Sequence, residues 1–184
     1  MNGSSLAEED ELLIHRLLGG DTEALGTLYV RCKPALYRFI RRMVSDADSA
    51  DDVLQETFVN VQASISSLKH PETFRAWVFR IARNEALGML KKTKKNTVDA
   101  DEMWNDVTPH DMLVQKETES IVQRSVNALK PEYREVLLLR EYEQFSYAEI
   151  ASITGATESS VKSRIHKARL ALVEKLKPYF SAEH

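Results

Sequence analysis

The C-terminal part of the sequence combines helix caps, a turn glycine and basic residues in the order that a DNA-reading surface needs. Ser146 and Glu149 have the spacing of a capping box, which begins a short helix. Gly155 then ends that helix, and Thr157 caps a longer basic helix that we expect Pro178 to stop. The outer face of the second helix carries Ser159, Ser160, Lys162, Ser163, Arg164, His166, Lys167 and Arg169. This order predicts a helix-turn-helix, in which the second helix enters the major groove of duplex DNA.

A second basic face is predicted on a helix at about 72–95. Phe74, Trp77 and Val78 recur at a helical period and form its apolar side. The opposite side carries Arg80, Asn84, Lys91 and Lys95. Cations beside aromatic rings suit a nucleic acid with exposed bases, because backbone neutralisation and stacking both contribute there. The same pattern also fits an ordinary core face and a solvated helix end that complements the helix dipole, so both interpretations stay open.

The elements that must position these faces are helices. Apolar residues recur three and four positions apart over residues 25–43, 50–68 and 74–81, and again from 112 onward. Pro34 lies inside the first stretch, and we expect it to kink or split that helix. Residues 96–111 lack such a period and are acidic, which predicts a flexible linker. The predicted fold is therefore all-α, with small helical domains at 1–95 and 112–184 joined by the linker.

The composition is that of a folded protein, and it excludes several classes. Only 6 glycines and 5 prolines occur in 184 residues, which argues against collagen, linker arrays and turn-rich β folds. No signal-peptide pattern and no apolar run of roughly 18 residues is found, so a cytoplasmic protein is expected. Cys32 is the only cysteine, which excludes an intrachain disulfide and a multi-cysteine zinc site. We expect a core position for Cys32, and neither a metal nor a cofactor.

The formal net charge of −3 hides separate basic and acidic blocks. Residues 73–95 carry seven basic residues and one acidic residue, and residues 157–177 carry six basic and two acidic ones. Residues 46–57 carry five acidic residues and no basic one, and residues 96–119 are strongly acidic as well. Because the local sign of charge decides what binds a surface, the net charge does not argue against a nucleic-acid partner.

Three motifs in the right order resemble the extracytoplasmic-function (ECF) group of bacterial sigma factors. Residues 51–58, with the sequence Asp-Asp-Val-Leu-Gln-Glu-Thr-Phe, are similar to the D-x-x-Q-E-x-F core of sigma factors. Residues 74–84 are similar to the motif that follows this core in the ECF group, and residues 129–136, 146–151 and 160–164 resemble the group's C-terminal domain. The resemblance covers about residues 20–95 and 112–177. Gly88 and Thr154 depart from it, since the family commonly has Asp at the first position and a larger apolar residue at the second.

The resemblance implies a promoter-specificity subunit of bacterial RNA polymerase, with sigma-2 and sigma-4 domains and no catalysis of its own. Its partners would be promoter DNA, an anti-sigma factor, and core RNA polymerase through the β′ clamp and the β flap. In the sigma-2 bundle of three or four helices, the residues that dock on the clamp would be Asp51, Asp52, Gln55 and Glu56. The same domain would open and read the −10 element through His70, Arg75, Arg80, Asn84, Lys91 and Lys95. The sigma-4 domain would read the −35 duplex through Ser159, Ser160, Lys162, Ser163, Arg164, His166 and Lys167.

Two other functions are compatible with parts of the sequence. A free-standing helix-turn-helix repressor or activator would account for the C-terminal pattern, but it leaves Gln55, Glu56 and the aromatic, basic helix unexplained. An enzyme would need a glycine-rich phosphate loop, a zinc-ligand cluster or a nucleophile motif, and the sequence has none of these. A lone basic helix is usually only a solvated surface, but here the capping box, the glycine turn and the basic helix agree. The sequence therefore favours promoter recognition.

Overall fold

The computed structural model describes residues 3–44, 46–96 and 121–180, and these ranges contain helices and turns but no strand. The chain divides into two compact units, the first ending at Lys92 and the second containing most of the later residues. The prediction of an all-α fold with two small helical domains is confirmed. Most of the predicted acidic linker, from residue 97 onward, lies outside the described residues.

Helix α1 (Gly3–Leu18) begins the first unit and is an element that the sequence patterns above did not predict. Its buried side consists of Leu13, Ile14 and Leu17. The three-and-four spacing of these residues is the signal that marks the helix in the sequence. α1 packs on the following helix (Thr22–Val44), where the guanidinium of Arg31 lies 2.6 Å from the carboxylate of Asp10. This ion pair and the apolar side together fix α1 against its neighbour.

Helix α2 (Thr22–Val44) is continuous through Pro34, so of the kink or split expected at this proline, the split is wrong. Pro34 removes the hydrogen bond that a backbone N–H would donate to the carbonyl of Val30. Both residues are exposed, so water can satisfy that carbonyl and the helix continues. The buried side of α2 includes Leu28, Leu36, Phe39, Ile40 and Met43, and it forms the centre of the first unit.

Helix α3 (Ala47–Ser64) has the predicted buried stripe, and its first turn is capped by Asp46, which accepts a hydrogen bond from the N–H of Ser49 at 2.7 Å. The stripe consists of Ala50, Val53, Leu54, Thr57, Phe58 and Val61. Two short 3-10 turns follow, Ile65–Ser67 and Pro71–Thr73, and helix α4 spans Phe74–Asn96. The ring of Phe79 in α4 contacts that of Phe39 in α2, with centroids 5.5 Å apart. Helix α2 therefore packs on both α3 and α4, and these three helices share one core.

In the second unit, a short and largely buried helix packs against a long basic helix. The helices of this unit are α5 (121–127), α6 (Pro131–Leu137), α7 (Tyr147–Thr154) and α8 (Glu158–Phe180). The predicted run Val136–Leu139 is fully buried, and α6 packs on α8. α6 continues without a break as a π-helical turn, Leu138–Tyr142, which the sequence did not predict. This packing supports the helix that carries the basic face.

The end of α8 differs from the expectation. The helix extends two residues beyond Pro178, so the predicted stop at this proline is wrong. A proline in the last turn removes the hydrogen bond to the carbonyl four residues earlier, at Glu174, and its ring crowds that carbonyl, but the other hydrogen bonds of the turn are kept. Glu174 is exposed, so solvent can replace that bond.

Candidate polymerase and DNA interfaces

The residues predicted to dock on the polymerase share the exposed side of α3. This side carries Asp51, Asp52, Gln55 and Glu56. The opposite side is buried, and even its polar member Thr57 is satisfied there, since its hydroxyl donates to the carbonyl of Val53 at 2.7 Å. No lysine or arginine occurs between residues 46 and 57, so the exposed side is negative. Such a side favours a cationic partner.

A groove of about 610 Å³ between α2 and α3 adjoins this acidic side, and the sequence did not predict it. Its lining includes Asp51 and Gln55 from the acidic side and the aromatic pair Tyr29 and Phe58. The two rings meet edge to face, with centroids 4.6 Å apart. Val59 also lines the groove and is 53% exposed. An apolar groove with an acidic edge fits an amphipathic helix that carries basic residues.

The loop before α4 holds His70 at the surface. Its imidazole Nδ1 lies 3.2 Å from the carboxylate of Glu72, and both side chains are exposed. The hydroxyl of Thr73 donates to the carbonyl of His70 at 2.7 Å, which ties the loop to the start of the helix. Leu68, 6% exposed, anchors the other end of the loop in the core. The predicted −10 histidine is therefore exposed on a loop that is fixed at both ends.

The remaining −10 candidates with described side chains are exposed on helix α4, whereas its aromatic residues Phe74 and Trp77 are buried. Arg75, Arg80, Asn84 and Lys91 are exposed, and the side chain of Lys95 lies outside the described part of the chain. Phe74 and Trp77 are only 3% and 8% exposed. The core interpretation of these two rings is therefore correct, and they offer no surface on which a base stacks. The guanidinium of Arg75 lies over the ring of Phe79, 5.4 Å from its centroid.

The predicted caps of the helix-turn-helix are confirmed. The hydroxyl of Ser146 accepts from the N–H of Glu149 at 3.2 Å, and the Glu149 carboxylate accepts from the N–H of Ser146 at 2.7 Å. Gly155 ends α7 with a φ of 67°, a left-handed conformation that glycine adopts without strain. The hydroxyl of Thr157 accepts from the N–H of Ser160 at 3.2 Å and so begins α8. The turn between the helices is thus defined by local chemistry.

The predicted −35 residues lie on α8 opposite its buried side, which is formed by Val161, Ile165 and Ala168. The exposed members are Ser159, Lys162, Ser163, His166 and Lys167. Ser160 and Arg164 are only partly exposed. A nitrogen of the Arg164 guanidinium lies 3.9 Å from a carboxylate oxygen of Glu135, whose side chain is 3% exposed. Arg164 thus forms a loose ion pair with Glu135 inside the unit and is also partly exposed to solvent.

Two features of this surface were not found from the sequence. A groove of about 560 Å³ joins the start of α6 to α8, so Glu132 and Tyr133 lie beside the predicted −35 residues. Sequence spacing does not bring them together, because α6 and α8 meet only through tertiary packing. Arg169 forms an ion pair with Glu141 at 2.6 Å, which raises the pKa of Arg169. Its charge is already partly neutralised within the protein.

No metal site is found in the described ranges, where His, Cys, Asp and Glu form no group of three or more that is placed to hold an ion. Cys32 is half-buried, and burial raises the pKa of its thiol to about 11. The thiol is therefore protonated at neutral pH. Among the helices in residues 3–44, 46–96 and 121–180, none has both the length and the apolar character that crossing a bilayer requires.

The described residues are helical, with a helix-turn-helix in one unit and an acidic exposed side on a helix of the other. Known families match both units. Residues 28–96 match Sigma-70 region 2, and residues 120–172 match Sigma-70, region 4. The RNA polymerase sigma-H factor of Pseudomonas aeruginosa is 29% identical over 93% of this chain and 95% of its own length. The ECF RNA polymerase sigma-E factor of Escherichia coli K12 is 31% identical over 92% of this chain and 95% of its own length.

Solved structures agree with the sequence relatives. CnrH, solved in complex with the cytosolic domain of CnrY, is 26% identical, with a TM-score of 0.71 over 92% of this chain and 97% of that one. The sigma factor RpoE of Bartonella quintana, solved with the anti-sigma factor NepR, is 29% identical, with a TM-score of 0.72 over 83% of this chain and 96% of that one.

The chain therefore belongs to the ECF group of the sigma-70 family. Its function is promoter-specific transcription initiation, with core RNA polymerase and promoter DNA as partners. The family is not one of enzymes. A free-standing repressor or activator is not favoured, because region 2, which that alternative leaves unexplained, is matched as well.

Proposed function

We propose that this chain recruits core RNA polymerase through the exposed side of α3 and directs it to promoters through two DNA-reading surfaces. The observation that carries the docking part is the position of Asp51, Asp52, Gln55 and Glu56 on one exposed, negative side of a helix whose other side is buried. The β′ clamp coiled coil would lie along this side. The groove lined by Tyr29 and Phe58 would accept apolar side chains from the same partner.

The −10 element would be read by the first unit. Its candidates are His70, Arg75, Arg80, Asn84, Lys91 and Lys95. Extruding a base costs a few kcal/mol, and exposed cations next to a fixed loop offset part of this cost by neutralising the backbone. The burial of Phe74 and Trp77 assigns them to the support of α4 and leaves base contact to the loop and the polar side chains.

The −35 duplex would be read by α8. Its candidates are Ser159, Ser160, Lys162, Ser163, Arg164, His166 and Lys167. Hydroxyl and cationic side chains at the start of such a helix reach base edges, and those further along contact phosphates. We assign Tyr133 to the same interface, since it lines the groove beside Ser163 and Arg164.

A second contact with core RNA polymerase, through the β flap, and the regulation of the chain by an anti-sigma protein would use other surfaces. We assign the β flap to an apolar groove of about 500 Å³ in the second unit, lined by Val122, Leu137, Tyr142 and Leu172 among others. This groove shares no residue with the one beside the −35 candidates. An anti-sigma protein would hold the chain inactive, by analogy with the RpoE–NepR complex. We place the chain in the cytoplasm, without catalytic activity, with its domains at 1–95 and 112–184.

Binding to core polymerase tests the docking proposal. Gln55→Ala and Glu56→Ala should each weaken the affinity of the full chain for core RNA polymerase by about tenfold, the effect of losing roughly 1.4 kcal/mol at an interface. Affinity can be measured by titrating a fluorescently labelled chain with core enzyme. Both side chains are exposed, so thermal stability should not change.

Glu11→Ala is the matched control, because Glu11 is an exposed acid on another helix of the same unit. It should leave the affinity for core polymerase unchanged. Wild-type affinity in both α3 variants would refute the docking face. Loss of polymerase binding together with loss of −35 recognition would indicate that the variants misfold, or that the two functions are wrongly assigned to separate surfaces.

A further inference from the structure

Arg164 differs from the other basic residues proposed to contact −35 DNA. Lys162 and Lys167 are exposed on α8, but the side chain of Arg164 is only 34% exposed. Its guanidinium faces the carboxylate of Glu135 on α6, with 3.9 Å between the nitrogen and the oxygen. Arg164 also lines the groove that opens toward the proposed DNA side. It therefore has one contact inside the protein and one face at the surface.

Glu135 is placed in a way that apolar packing alone does not explain. Its side chain is 3% exposed, and burying a carboxylate is costly unless a cation or hydrogen-bond donors compensate. An apolar residue of similar volume at such a position is often neutral or stabilising. The ion pair is thus weak evidence for a role in stability. A geometric role accounts for it better, because a guanidinium is a planar fork with five donors, and an ion pair at 3.9 Å, longer than a hydrogen bond, attracts one edge of the fork and so biases the direction of the rest.

We propose that Glu135 is a positioning residue that orients Arg164 for sequence-specific reading of the −35 duplex. This inference rests on the proposed −35 function of α8. An oriented guanidinium can form two parallel hydrogen bonds to one base, whereas a free one binds any phosphate. The carboxylate also partly cancels the charge of Arg164, which lowers sequence-independent attraction to DNA. Glu135 therefore lowers the sequence-independent affinity of α8 for DNA and raises its preference for one −35 sequence.

The test uses holoenzyme reconstituted from the full chain and core RNA polymerase. A preferred −35 duplex is first selected from a random pool with the wild-type holoenzyme. Dissociation constants are then measured for that duplex and for a scrambled one over a series of KCl concentrations. Glu135→Gln should bind the scrambled duplex more tightly than wild type does, and its preference for the selected duplex should fall by at least about fivefold. In an Arg164→Ala background, Glu135→Gln should not reduce the preference further.

Glu132→Gln is the matched control, since Glu132 is an exposed acid that lines the same groove. It removes the same charge, so it should tighten binding to both duplexes equally and leave the preference unchanged. Arg164→Lys changes an accessible side chain, keeps the charge and removes the planar fork. It should lose the preference while keeping wild-type affinity for the scrambled duplex, and a preference that survives this change overturns the inference even if Glu135→Gln unfolds the unit.

The outcomes separate the inference from the function on which it rests. A wild-type preference that survives in folded Glu135→Gln, or in Arg164→Lys, would overturn the positioning role but leave the −35 function intact. An equal loss of affinity for both duplexes in folded Glu135→Gln would also overturn it, because a purely structural role has that effect. A wild-type holoenzyme that selects no duplex would overturn both.

Discussion

Gly88 lies inside α4, and the fold gives no reason for a glycine there. A Cβ built at this position meets no heavy atom within 4 Å, and its backbone is helical. Glycine in a helix interior is about 0.5–1 kcal/mol less favourable than alanine, mainly because the unfolded chain gains more freedom. Gly88→Ala should therefore raise the free energy of unfolding of the first unit by about 0.5–1 kcal/mol. For a unit of this size, that corresponds to about 2–8 °C in Tm.

The fluorescence of Trp77 provides the assay, since this ring is buried in the same helix. A Trp104→Phe background removes the other tryptophan, so that urea unfolding followed by emission reports the first unit alone. With a denaturant slope of about 1–2 kcal/mol per molar urea, the midpoint should rise by about 0.3–1 M. The slope itself should not change, because the substitution adds one methyl group and leaves the fold intact.

Gly20→Ala is the matched control, because it adds the same methyl group in the same unit with the opposite expected sign. A Cβ at Gly20 also meets nothing within 4 Å, but the backbone there has a φ of +93°. An L-residue in such a conformation is strained by about 1–2 kcal/mol, so this variant should be less stable than wild type. An unchanged or lower midpoint for Gly88→Ala would refute the reasoning, since it would mean that the methyl group meets an obstacle. A Gly20→Ala variant that is more stable than wild type would show that backbone conformation does not set the sign of the stability change.

Four further outcomes concern the capping box, Cys32 and the proposed −35 surface. Ser146→Ala should speed hydrogen exchange of α7 by about fivefold, because losing an N-cap costs about 1 kcal/mol; an unchanged rate would mean that the capping box adds no stability. Cys32 should react with iodoacetamide at pH 8 about 100-fold more slowly in the folded chain than in urea, because its pKa is raised from 9.0 to about 11. Since the folded state holds this proton more tightly, stability should fall as the pH rises from about 9 to 11, and Cys32→Ala should remove that part of the pH dependence. Lys162→Ala should reduce the slope of log affinity against log salt concentration for −35 binding by about 1. Arg169→Ala should leave that slope unchanged, because Arg169 is already paired with Glu141. Equal effects of the two substitutions would argue against the proposal that Lys162 contacts a phosphate and Arg169 does not.

The parts of the fold that depend on neighbours in sequence were predictable. Helical spacing of apolar residues gave α2, α3 and α4 with their buried sides, since an amphipathic helix shows its packing in its sequence. The capping box at Ser146 and the left-handed Gly155 were predictable as well, because both are contacts within a few residues. Local chemistry did not predict that α2 continues through Pro34 or that α8 continues past Pro178. The cost of a proline depends on whether solvent reaches the carbonyl that it leaves without a donor, and that is a property of the folded surface.

The candidate site was predictable in its residues but not in its arrangement. The exposed side of α3 and the polar side of α8 follow from helical period, so the candidates for docking and −35 reading could be placed on exposed sides from the sequence. The sequence alone could not show whether Phe74 and Trp77 stack on bases or lie in the core. An aromatic residue at a helical period has the same pattern in both cases, and only its neighbours decide.

The sequence by itself determined that the chain is helical, that it has two units, and that basic and acidic faces alternate along it. Periodicity, caps and charge are local properties, which is why they can be seen without coordinates. Only the tertiary structure decided that Glu135 lies beneath Arg164, and that Tyr29 and Phe58 line one groove. These contacts join residues about 30 positions apart, and they exist because burying the apolar sides of α2, α3, α6 and α8 fixes how those helices meet.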